Sequence, residues 1–394
     1  MSIKCVVANS LSKDTETAAR EVCAKVKNGL GGNRADLLLC FSSVLHDQAN
    51  LLGEIATDLG GSPLLGCSDA GGIVTDGPFK QSVSLMGIVS EKIKFSTGVG
   101  KDIDRDARKA GADLAKAIKE KAPDVSLIIM MADGLAGNGA DIVRGVLDVM
   151  GDKFPVVGGS AGDDFLFKKT YEYLGGEVLN NAVVGVGLSG DFAFGIGVRH
   201  GWMPIGVPMK VTRSKANILY ELDGKPAVSI YEDYFGEEKS KKLREEPLAR
   251  LAITYPLGMQ TQESDEYLIR DPITVDEKGA ITCAAEIPEG STIRLMIGSK
   301  DEAIQAARMA AAQAVEQMRG KPVKATIIFN CIARDKLFGR DAKKEIETIR
   351  EVIGMDVPLI GFYTYGEQAP IAGKIHACSS VFHNETVVIL TLGD

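Results

Sequence analysis

One short segment occurs three times in this chain, and its repetition restricts the fold more than any other feature. Each copy begins with a proline, two aliphatic residues and a glycine, and the prolines are Pro63, Pro155 and Pro358. The apolar half of the segment is typical of a short buried strand, and the residues after it are typical of a loop. Three similar segments therefore predict one structural part that is used three times.

The residues around each proline extend the repeat to a β-α-β-α-β-β unit. Apolar runs and helical spacings place the three copies at residues 3–89, 93–188 and 292–392. The fold class that this order predicts is α/β with mixed α and β elements. We expect the internally repeated units to form two lobes of layered sheets and helices, with central strands buried on both faces.

The segment between the second and third copies has a different pattern. Short strand-like runs alternate there with turn signals, and residues 231–250 are charged and typical of a solvated helix. We expect a domain joint in this region, with one domain at residues 1–215 and a second at residues 216–394.

Composition and charge restrict the class of protein. The chain has 394 residues, of which 45% are hydrophobic and 25% charged, which is the balance of a globular protein. A net charge of -8 argues against a nucleic-acid partner. The sequence has no apolar run of membrane-spanning length and no signal peptide, so we expect a cytoplasmic protein without membrane insertion. Seven cysteines without CxxC spacing indicate reduced thiols, and we expect neither metal nor another cofactor.

The loops after the three repeated strands are the first candidate binding site. Open α/β sheets bind ligands beyond the carboxyl ends of their strands, so hydroxyl, phenol and carboxyl groups in these loops can line one pocket. Across the three copies, the candidate side chains are those of Cys67, Ser68, Ser160, Asp163, Asp164, Tyr363, Tyr365 and Glu367. The alternative interpretations are a tight turn without a ligand at Ser160, an inert buried thiol at Cys67, and stacked surface tyrosines at Tyr363 and Tyr365.

Two residues of these loops also suggest covalent chemistry. Residues 158–162 match the G-x-S-x-G nucleophile elbow, in which Ser160 would attack a substrate. The alternating aromatic residues that follow favour a strand over the helix that the elbow requires. Cys67 lies at the corresponding strand end and is a second nucleophile if a neighbouring base lowers its pKa. A hydrolase or transferase that uses Cys67 or Ser160 is therefore the alternative function, and a ligand-free interaction scaffold is a third hypothesis.

A further candidate binding segment contains Arg199, His200 and the single tryptophan, Trp202. An arginine can hold a carboxylate through two hydrogen bonds, and a tryptophan can cover an apolar or cationic group. The two side chains together are close to what an amino-acid-like ligand would require. Cys331 and Arg334 follow the apolar strand of the third copy and complete the candidate ligand-binding residues. A strand end with a packed tryptophan, and an inert buried thiol, are the alternative interpretations.

Several motifs resemble the FIST sensory domain family. Those similar to its N-terminal half lie at residues 158–164, 195–202, 211–213 and 220–227, and those similar to its C-terminal half lie at 330–334, 358–367 and 383–386. The resemblance implies an intracellular sensor that binds small ligands, such as amino acids or related metabolites, in signal transduction. It covers residues 30–392, so we expect a stand-alone sensor. It would signal through a separate kinase, chemoreceptor or cyclic-nucleotide enzyme, the outputs that such domains accompany.

Overall fold

The computed structural model describes residues 2–236 and 249–394. Three structural repeats form one body. Repeat 1 consists of β1 (Lys4–Ser10), α1 (Thr15–Gly29), β2 (Leu37–Ser42), α2 (Gln48–Asp58), β3 (Leu64–Ser68), β4 (Gly72–Val74), β5 (Gly77–Phe79) and β6 (Val83–Val89). Repeat 2 consists of β7 (Ile93–Lys101), α3 (Ile103–Lys121), β8 (Leu127–Ala132), α4 (Gly139–Met150), β9 (Val156–Ser160), β10 (Glu172–Leu174), β11 (Glu177–Leu179) and β12 (Ala182–Gly190).

Repeat 3 is interrupted by a β-rich lobe. The repeat begins with β13 (Ala193–Arg199). The lobe follows, with β14 (Trp202–Pro204), β15 (Met209–Lys215), β16 (Ile218–Leu222), β17 (Lys225–Pro226), α5 (Ser229–Phe235), α6 (Ala249–Ala252), β18 (Leu257–Met259), β19 (Leu268–Arg270), β20 (Pro272–Val275), β21 (Ile281–Cys283) and β22 (Thr292–Gly298). Repeat 3 then continues with α7 (Lys300–Gln317), β23 (Val323–Cys331), α8 (Ile332–Phe338), α9 (Ala342–Ile353), β24 (Leu359–Thr364), β25 (Glu367–Pro370), β26 (Ser380–His383) and β27 (Val387–Gly393).

The three repeats exchange β-hairpins in a closed cycle. The sheet of repeat 1 has the order β1-β6-β2-β3 and ends with the β10-β11 hairpin of repeat 2. The sheet of repeat 2, β7-β12-β8-β9, ends with β25-β26 of repeat 3, and the sheet of repeat 3, β13-β27-β23-β24, ends with β4-β5 of repeat 1. Each repeat thus completes the sheet of another, which relates the three by a pseudo-threefold axis.

Apolar side chains cover both faces of each six-stranded sheet. The inner faces of all three sheets meet in one core around the axis, where Phe41, Met131 and Phe329 are buried. The outer faces are covered by α1 and α2 in repeat 1, by α3 and α4 in repeat 2, and by α7 and α9 in repeat 3. This layering explains why the central strands are apolar throughout.

The glycine of the repeated segment has the same physical role in all three repeats. A Cβ on Gly66, Gly158 or Gly361 would lie 1.8, 1.9 or 2.2 Å from a main-chain oxygen of the neighbouring parallel strand. Atoms without a bond between them cannot approach so closely, so these positions exclude any side chain. The repeated glycine is therefore required because the two parallel strands of each sheet pack too closely for a side chain at this position.

The β-rich lobe has its own sheet and its own apolar core. Its strands follow the order β19-β18-β22-β15-β16-β21-β20, with β14 beside β22 and β17 beside β16. Val211, Leu257 and Leu295 are fully buried in its core. The predicted α/β class and the two lobes are confirmed: one lobe is the three-repeat body, and the other is this insertion.

One boundary of the predicted repeats is wrong. Residues 292–297 were expected to begin the third copy, but they lie in β22 of the lobe, and β13 pairs with β27 as the first strand of repeat 3. Both segments are short alternating strands, so their pattern alone does not reveal which one joins the body. The predicted domain division at residues 215 and 216 falls in the β15-β16 hairpin and stays a prediction.

The charged helical segment predicted at residues 231–250 is described at its two ends, which α5 and α6 include. Residues 237–248 lie outside the described residues. None of the helices in the described ranges combines the length and the hydropathy that a membrane crossing requires.

Candidate functional site

The loops after β3, β9 and β24 meet at the pseudo-threefold axis and bind one another. One N–H of each loop donates to a carbonyl of the next loop in a closed cycle: Ala70 to Tyr363, Gly162 to Ser68 and Tyr365 to Ser160, at 3.0 to 3.1 Å. These main-chain groups satisfy one another and join the three repeats.

Three of the predicted site residues, Cys67, Ser68 and Ser160, are buried by this packing. Burial raises the pKa of the Cys67 thiol well above its usual 9.0, and nearby carboxylates raise it further. The Ser68 hydroxyl donates to a carbonyl of the next loop at 2.6 Å, and Gln368 Nε2 donates to Ser160 Oγ at 3.2 Å. Residues 161–171 form a loop, so the helix of a nucleophile elbow does not follow Ser160.

Asp163, Asp164 and Tyr365 lie together at one end of the axis. The Asp163 carboxylate accepts hydrogen bonds from the Tyr365 hydroxyl and from the main-chain N–H groups of residues 166–169. Burial acts to raise the pKa of Asp163, but these hydrogen bonds hold it below its usual 3.8. Asp164 accepts a bond from Ser43 Oγ at 2.6 Å. The group fixes the shape of the loop at residues 164–169.

Arg334 is fully buried and fully engaged. Its guanidinium lies 2.6 Å from Glu345 Oε1 and donates to the carbonyl oxygens of Ala303 and His200. It also lies 5.6 Å from the ring centre of Trp202. Trp202 itself is buried, and its Nε1 donates to a lobe carbonyl at 3.1 Å. These two predicted ligand contacts instead tie the first strand of repeat 3, the helices and the lobe together.

Arg199 and His200 line a cleft of about 450 Å³ between the body and the lobe. Arg199 is the last residue of β13 and His200 follows it, at the point where the chain leaves the body, and the opposite wall is the lobe segment at residues 264–267. Arg199 Nε lies 3.5 Å from Glu266 Oε1, and His200 Nε2 lies 3.3 Å from Glu266 Oε2. The nearby His200 imidazole lowers the pKa of Glu266 below its usual 4.5, although burial opposes the change.

The Arg199 side chain is held in place by the body. Its Nη1 donates to Gln313 Oε1 at 2.9 Å and to the Val198 carbonyl at 2.6 Å. Its Nε forms no hydrogen bond within the described part of the chain, and 20% of the side chain is exposed. A positioned cation with remaining hydrogen-bonding capacity therefore lies on the cleft wall.

A smaller cavity borders the same residues and extends toward His383 and Thr386. Burial lowers the pKa of His383 to about 4, so its imidazole is neutral at pH 7. Its Nε2 donates to the Ala369 carbonyl at 3.1 Å, which fixes the tautomer. The neutral ring and the Thr386 side chain form a polar but uncharged end to the cavity.

Behind Thr386, buried carboxyl groups connect the body with the lobe. The Thr364 hydroxyl and the Thr386 N–H donate to Glu367, yet burial raises the pKa of Glu367 to about 8. Burial and the charge of Asp271 raise the pKa of Glu385 well above 4.5. Protonated Glu385 can donate to Asp271, whose pKa burial raises to about 6. At neutral pH this cluster therefore holds protons.

The last of the predicted residues, Cys331, lies beside this cluster. Burial raises the pKa of its thiol well above 9.0, and the charge of Glu367 raises it further. A thiol in this state is a poor nucleophile. Within residues 2–236 and 249–394, no group of histidine, cysteine and carboxyl side chains is arranged to hold a metal ion.

The Glu367 position has counterparts in the other repeats. Glu172 of β10, Glu367 of β25 and Gly72 of β4 each pair with the residue four positions after one of the repeated prolines. We call these three places the Glu172, Glu367 and Gly72 junctions. Glu172 is also buried, and burial raises its pKa well above 4.5. At the Glu367 junction the lobe adds Asp271, and the cavity that continues from the cleft is lined by Thr386, which donates to Glu367.

The structure thus divides the predicted site residues into two groups. Arg199, His200, Trp202, Cys331, Arg334 and Glu367 lie at or behind the cleft, and the others lie at the axial loops. Sequence reasoning missed Glu266, Asp271 and Glu385. The motif at residues 383–386 was a signal for Glu385, whereas Glu266 is one acid in a polar turn and gives no signal in the sequence.

Comparisons with known proteins identify relatives of uncharacterized function. A protein of Methanocaldococcus jannaschii is 27% identical over 293 residues, which cover 70% of this chain and 56% of that protein. The chain therefore spans little more than half the length of that relative. A protein of Mycobacterium tuberculosis is 26% identical over 387 residues, which cover 93% of this chain and 95% of that protein.

Among solved structures, the chain is similar to a cyanuric acid hydrolase from A. caulinodans, with a TM-score of 0.38, 8% identity and coverage of 98% and 99% of the two chains. It is also similar to a chorismatase, with a TM-score of 0.35, 10% identity and coverage of 100% and 99%. These scores are too low to support a conclusion about activity.

Two family models match most of the chain. The FIST N domain matches residues 36–225, and the FIST C domain matches residues 227–370. The matches include the motifs at residues 158–164, 195–202 and 330–334 on which the resemblance was based, and the resemblance is confirmed. The chain belongs to the FIST family.

Proposed function

We propose that this chain is a sensory protein that binds an amino acid or a related small polar metabolite in the cleft between the body and the lobe, and that it signals through a separate protein. The observation that carries the proposal is the placement of Arg199, His200 and Glu266 across this cleft. A cation and an anion on opposite walls match the two charges of a zwitterion.

The side chains of the cleft suit both ends of an amino acid. The ligand carboxylate would pair with Arg199, whose Nε lacks a hydrogen-bond partner among the described residues. The ligand ammonium would pair with Glu266. Met203, Pro204 and Tyr267 also line the cleft and would contact the side chain of the ligand. A volume of about 450 Å³ is in the usual range for small-molecule sites.

The same geometry couples ligand binding to the distance between the body and the lobe. Arg199 and His200 belong to the body, and Glu266 belongs to the lobe. A bound zwitterion would replace the direct contacts between them and would favour a different distance between the two walls. A ligand shifts such an equilibrium by its differential affinity for the two arrangements. The partner would then distinguish these arrangements.

The remaining predicted residues receive supporting roles in this proposal. Arg334 and Trp202 position the end of β13, because Arg334 donates to the His200 carbonyl and lies near the Trp202 ring. The axial residues, including Ser160 and Asp163, hold the three repeats together. Glu367 and Cys331 form the buried layer behind the cleft.

A thermal-shift screen against amino acids and related metabolites tests the proposal. A ligand present at about 100 times its dissociation constant adds roughly 2.7 kcal/mol to the free energy of unfolding. We expect a specific hit, and we expect Arg199→Ala to weaken its affinity by one to two orders of magnitude, or ~1.4 to 2.8 kcal/mol. Arg213→Ala is the matched control, because Arg213 is exposed on β15 and pairs with Glu221.

An unchanged dissociation constant in Arg199→Ala would remove the cleft from the binding site. The absence of any hit would favour the enzyme or scaffold hypotheses. Labelling with thiol- and serine-directed electrophiles then decides between them. Rapid labelling that Cys67→Ser or Ser160→Ala abolishes would establish a nucleophile, although both side chains are buried in this structure.

A further inference from the structure

The loop after β9 exposes three consecutive large apolar side chains. Phe165, Leu166 and Phe167 are 38%, 50% and 56% exposed. Scattered apolar residues are normal on a protein surface, but a contiguous group of this size commonly marks an interaction site. The group lies at the end of the pseudo-threefold axis, where the three repeats meet.

The backbone of this loop is held in an unfavourable conformation. Asp164, Phe165 and Phe167 have φ angles of 55°, 67° and 53°, which bulky residues rarely adopt. The Asp163 carboxylate holds the loop through four main-chain N–H groups at 2.5 to 3.2 Å. The Phe167 ring stacks on Tyr365 with the ring centres 4.7 Å apart. Holding these side chains in one fixed shape therefore costs folding free energy.

Two further exposed leucines lie on loops that pack against this one, Leu45 in repeat 1 and Leu135 in repeat 2. Leu45 and Leu135 are 57% and 42% exposed. Leu45 lies two residues after Ser43, which bonds to Asp164, and Leu135 follows Gly134, whose Cβ position is 3.0 Å from the Tyr365 ring. We call Leu45, Leu135, Phe165, Leu166 and Phe167 the axial patch.

Lysines lie beside the aromatic part of the axial patch. Lys168 and Lys169 follow it in the chain and are exposed, and Lys336 Nζ lies 4.4 Å from the ring centre of Phe165. Lys80 and Lys336 both lie 3.6 Å from the buried carboxylate of Asp335. Asp335 thus offsets part of the charge of Lys80 and Lys336, and the exposed Lys168 and Lys169 form a cationic rim beside the axial patch.

We propose that the axial patch docks into an apolar pocket of a partner protein whose rim carries Asp and Glu side chains. The inference goes beyond ligand binding and does not depend on it, because the patch is formed by the axial loops and not by the cleft. The fixed loop favours a protein over a lipid bilayer. A preorganised surface loses less conformational entropy when it binds a pocket of defined shape, whereas a bilayer accepts apolar side chains in many conformations.

Site-specific photocrosslinking of the full chain in cells of its source organism captures the partner for identification. The photoreactive residue is placed at position 166, and a matched control places it at Met355. Met355 is 53% exposed but precedes β24, at the opposite end of the parallel strands. We expect a protein adduct from position 166 that is absent from position 355. The partner, identified by mass spectrometry and purified, is then titrated against the chain by calorimetry.

Two variants decide whether the patch and its rim carry the interaction. We expect Leu166→Asp and Lys168→Glu/Lys169→Glu each to weaken the affinity at least tenfold, and Met355→Ser to leave it unchanged. Salt should weaken binding of the wild-type chain between 0.1 and 0.5 M, since the rim charges are exposed. All four changed side chains are at the surface, and thermal unfolding of each variant verifies that it folds.

Three results would overturn the proposal: no adduct specific to position 166, equal affinity in all variants, or an adduct with phospholipid. The last is verified with vesicles of phosphatidylcholine and phosphatidylglycerol. Co-sedimentation that Leu166→Asp abolishes would assign the patch to an anionic membrane instead.

Discussion

Glu172 and Glu367 occupy the same position in two repeats, but their surroundings differ. Both carboxyl groups are fully buried, and burial raises the pKa of each. Glu172 faces Asp133 and the Ala182 N–H of its own repeat, and among the residues that the structure describes neither of its oxygens has a hydrogen-bond donor in normal geometry. Glu367 accepts two hydrogen bonds, one of them from Thr386, which lines the cavity next to the cleft.

This comparison indicates what the repeat contributes and what the insertion adds. The buried carboxyl comes with the repeat, since two of three junctions carry it. The cleft comes with the lobe, which contributes Glu266 to one wall and Asp271 to the layer behind it. In a body with three similar junctions, the inserted lobe thus distinguishes one of them as the candidate binding site.

We expect the largest loss of stability from changes to the glycine that the repeated segments share. Gly158→Ala and Gly361→Ala each place a Cβ within 2.2 Å of a neighbouring main-chain oxygen. We expect both variants to fail to accumulate as folded protein, because parallel strands must separate to admit the methyl group. Expression followed by circular dichroism measures this. The control is Gly53→Ala on the exposed side of α2, where an added Cβ meets no atom of the described residues within 4 Å outside its own helix, and this variant should gain ~0.5 to 1 kcal/mol. A folded, stable Gly361→Ala would contradict the equivalence of the repeats.

The second largest loss of stability is expected from a change to Arg334, which lies behind the cleft. Arg334→Ala removes the ion-pair partner of the buried Glu345 carboxyl, so we expect it to lower the free energy of unfolding by ~3 to 5 kcal/mol. Arg213→Ala removes an exposed ion pair and should cost about 0 to 1 kcal/mol. Urea denaturation measures both. A small loss of stability with a large loss of ligand affinity would instead make Arg334 a ligand contact.

The third effect is a pH dependence that the two junctions share. The folded-state pKa of Glu367, about 8, exceeds its unfolded value near 4.5, so the folded chain holds a proton that the unfolded chain releases. The stabilisation is complete below pH 4.5 and is lost as pH rises through 8. Between these values each such carboxyl changes the folding equilibrium about tenfold per pH unit.

Glu367→Gln mimics the protonated group, and we expect it to reduce the slope of stability against pH between pH 5 and 8. Glu172→Gln should act in the same direction, since burial also raises the pKa of Glu172. Urea denaturation at each pH measures the slopes. Variants whose slopes equal that of the wild type would show that these carboxyl groups are ionised in the folded protein.

Much of the body could be predicted because its signals are local. The repeated Pro-aliphatic-aliphatic-Gly segments reflect a close strand contact that excludes a side chain at Gly66, Gly158 and Gly361. The hairpin exchange could not be predicted, since strands such as β4 and β10 have three residues and are too short for a recognisable pattern. Their partners also lie in distant parts of the chain.

The candidate site could be predicted in part for a similar reason. Arg199, His200 and Trp202 are adjacent in sequence and combine a cation, an imidazole and an indole, which drew attention to them. Glu266 comes close to Arg199 and His200 only because the lobe folds against β13. The burial of Cys67 and Ser160 results from packing between repeats, and a loop composition does not reveal which of its groups face another loop.

Hydrogen–deuterium exchange of the whole chain with and without the ligand tests the central claim most directly, because it compares the two junctions in one experiment. We expect a saturating ligand to protect residues 199–204 and 264–268 at the cleft and to leave the Glu172 junction, residues 170–182, unchanged. Protection at residues 170–182, or at the axial loops without protection at the cleft, would contradict the assignment of the ligand to the lobe-covered junction.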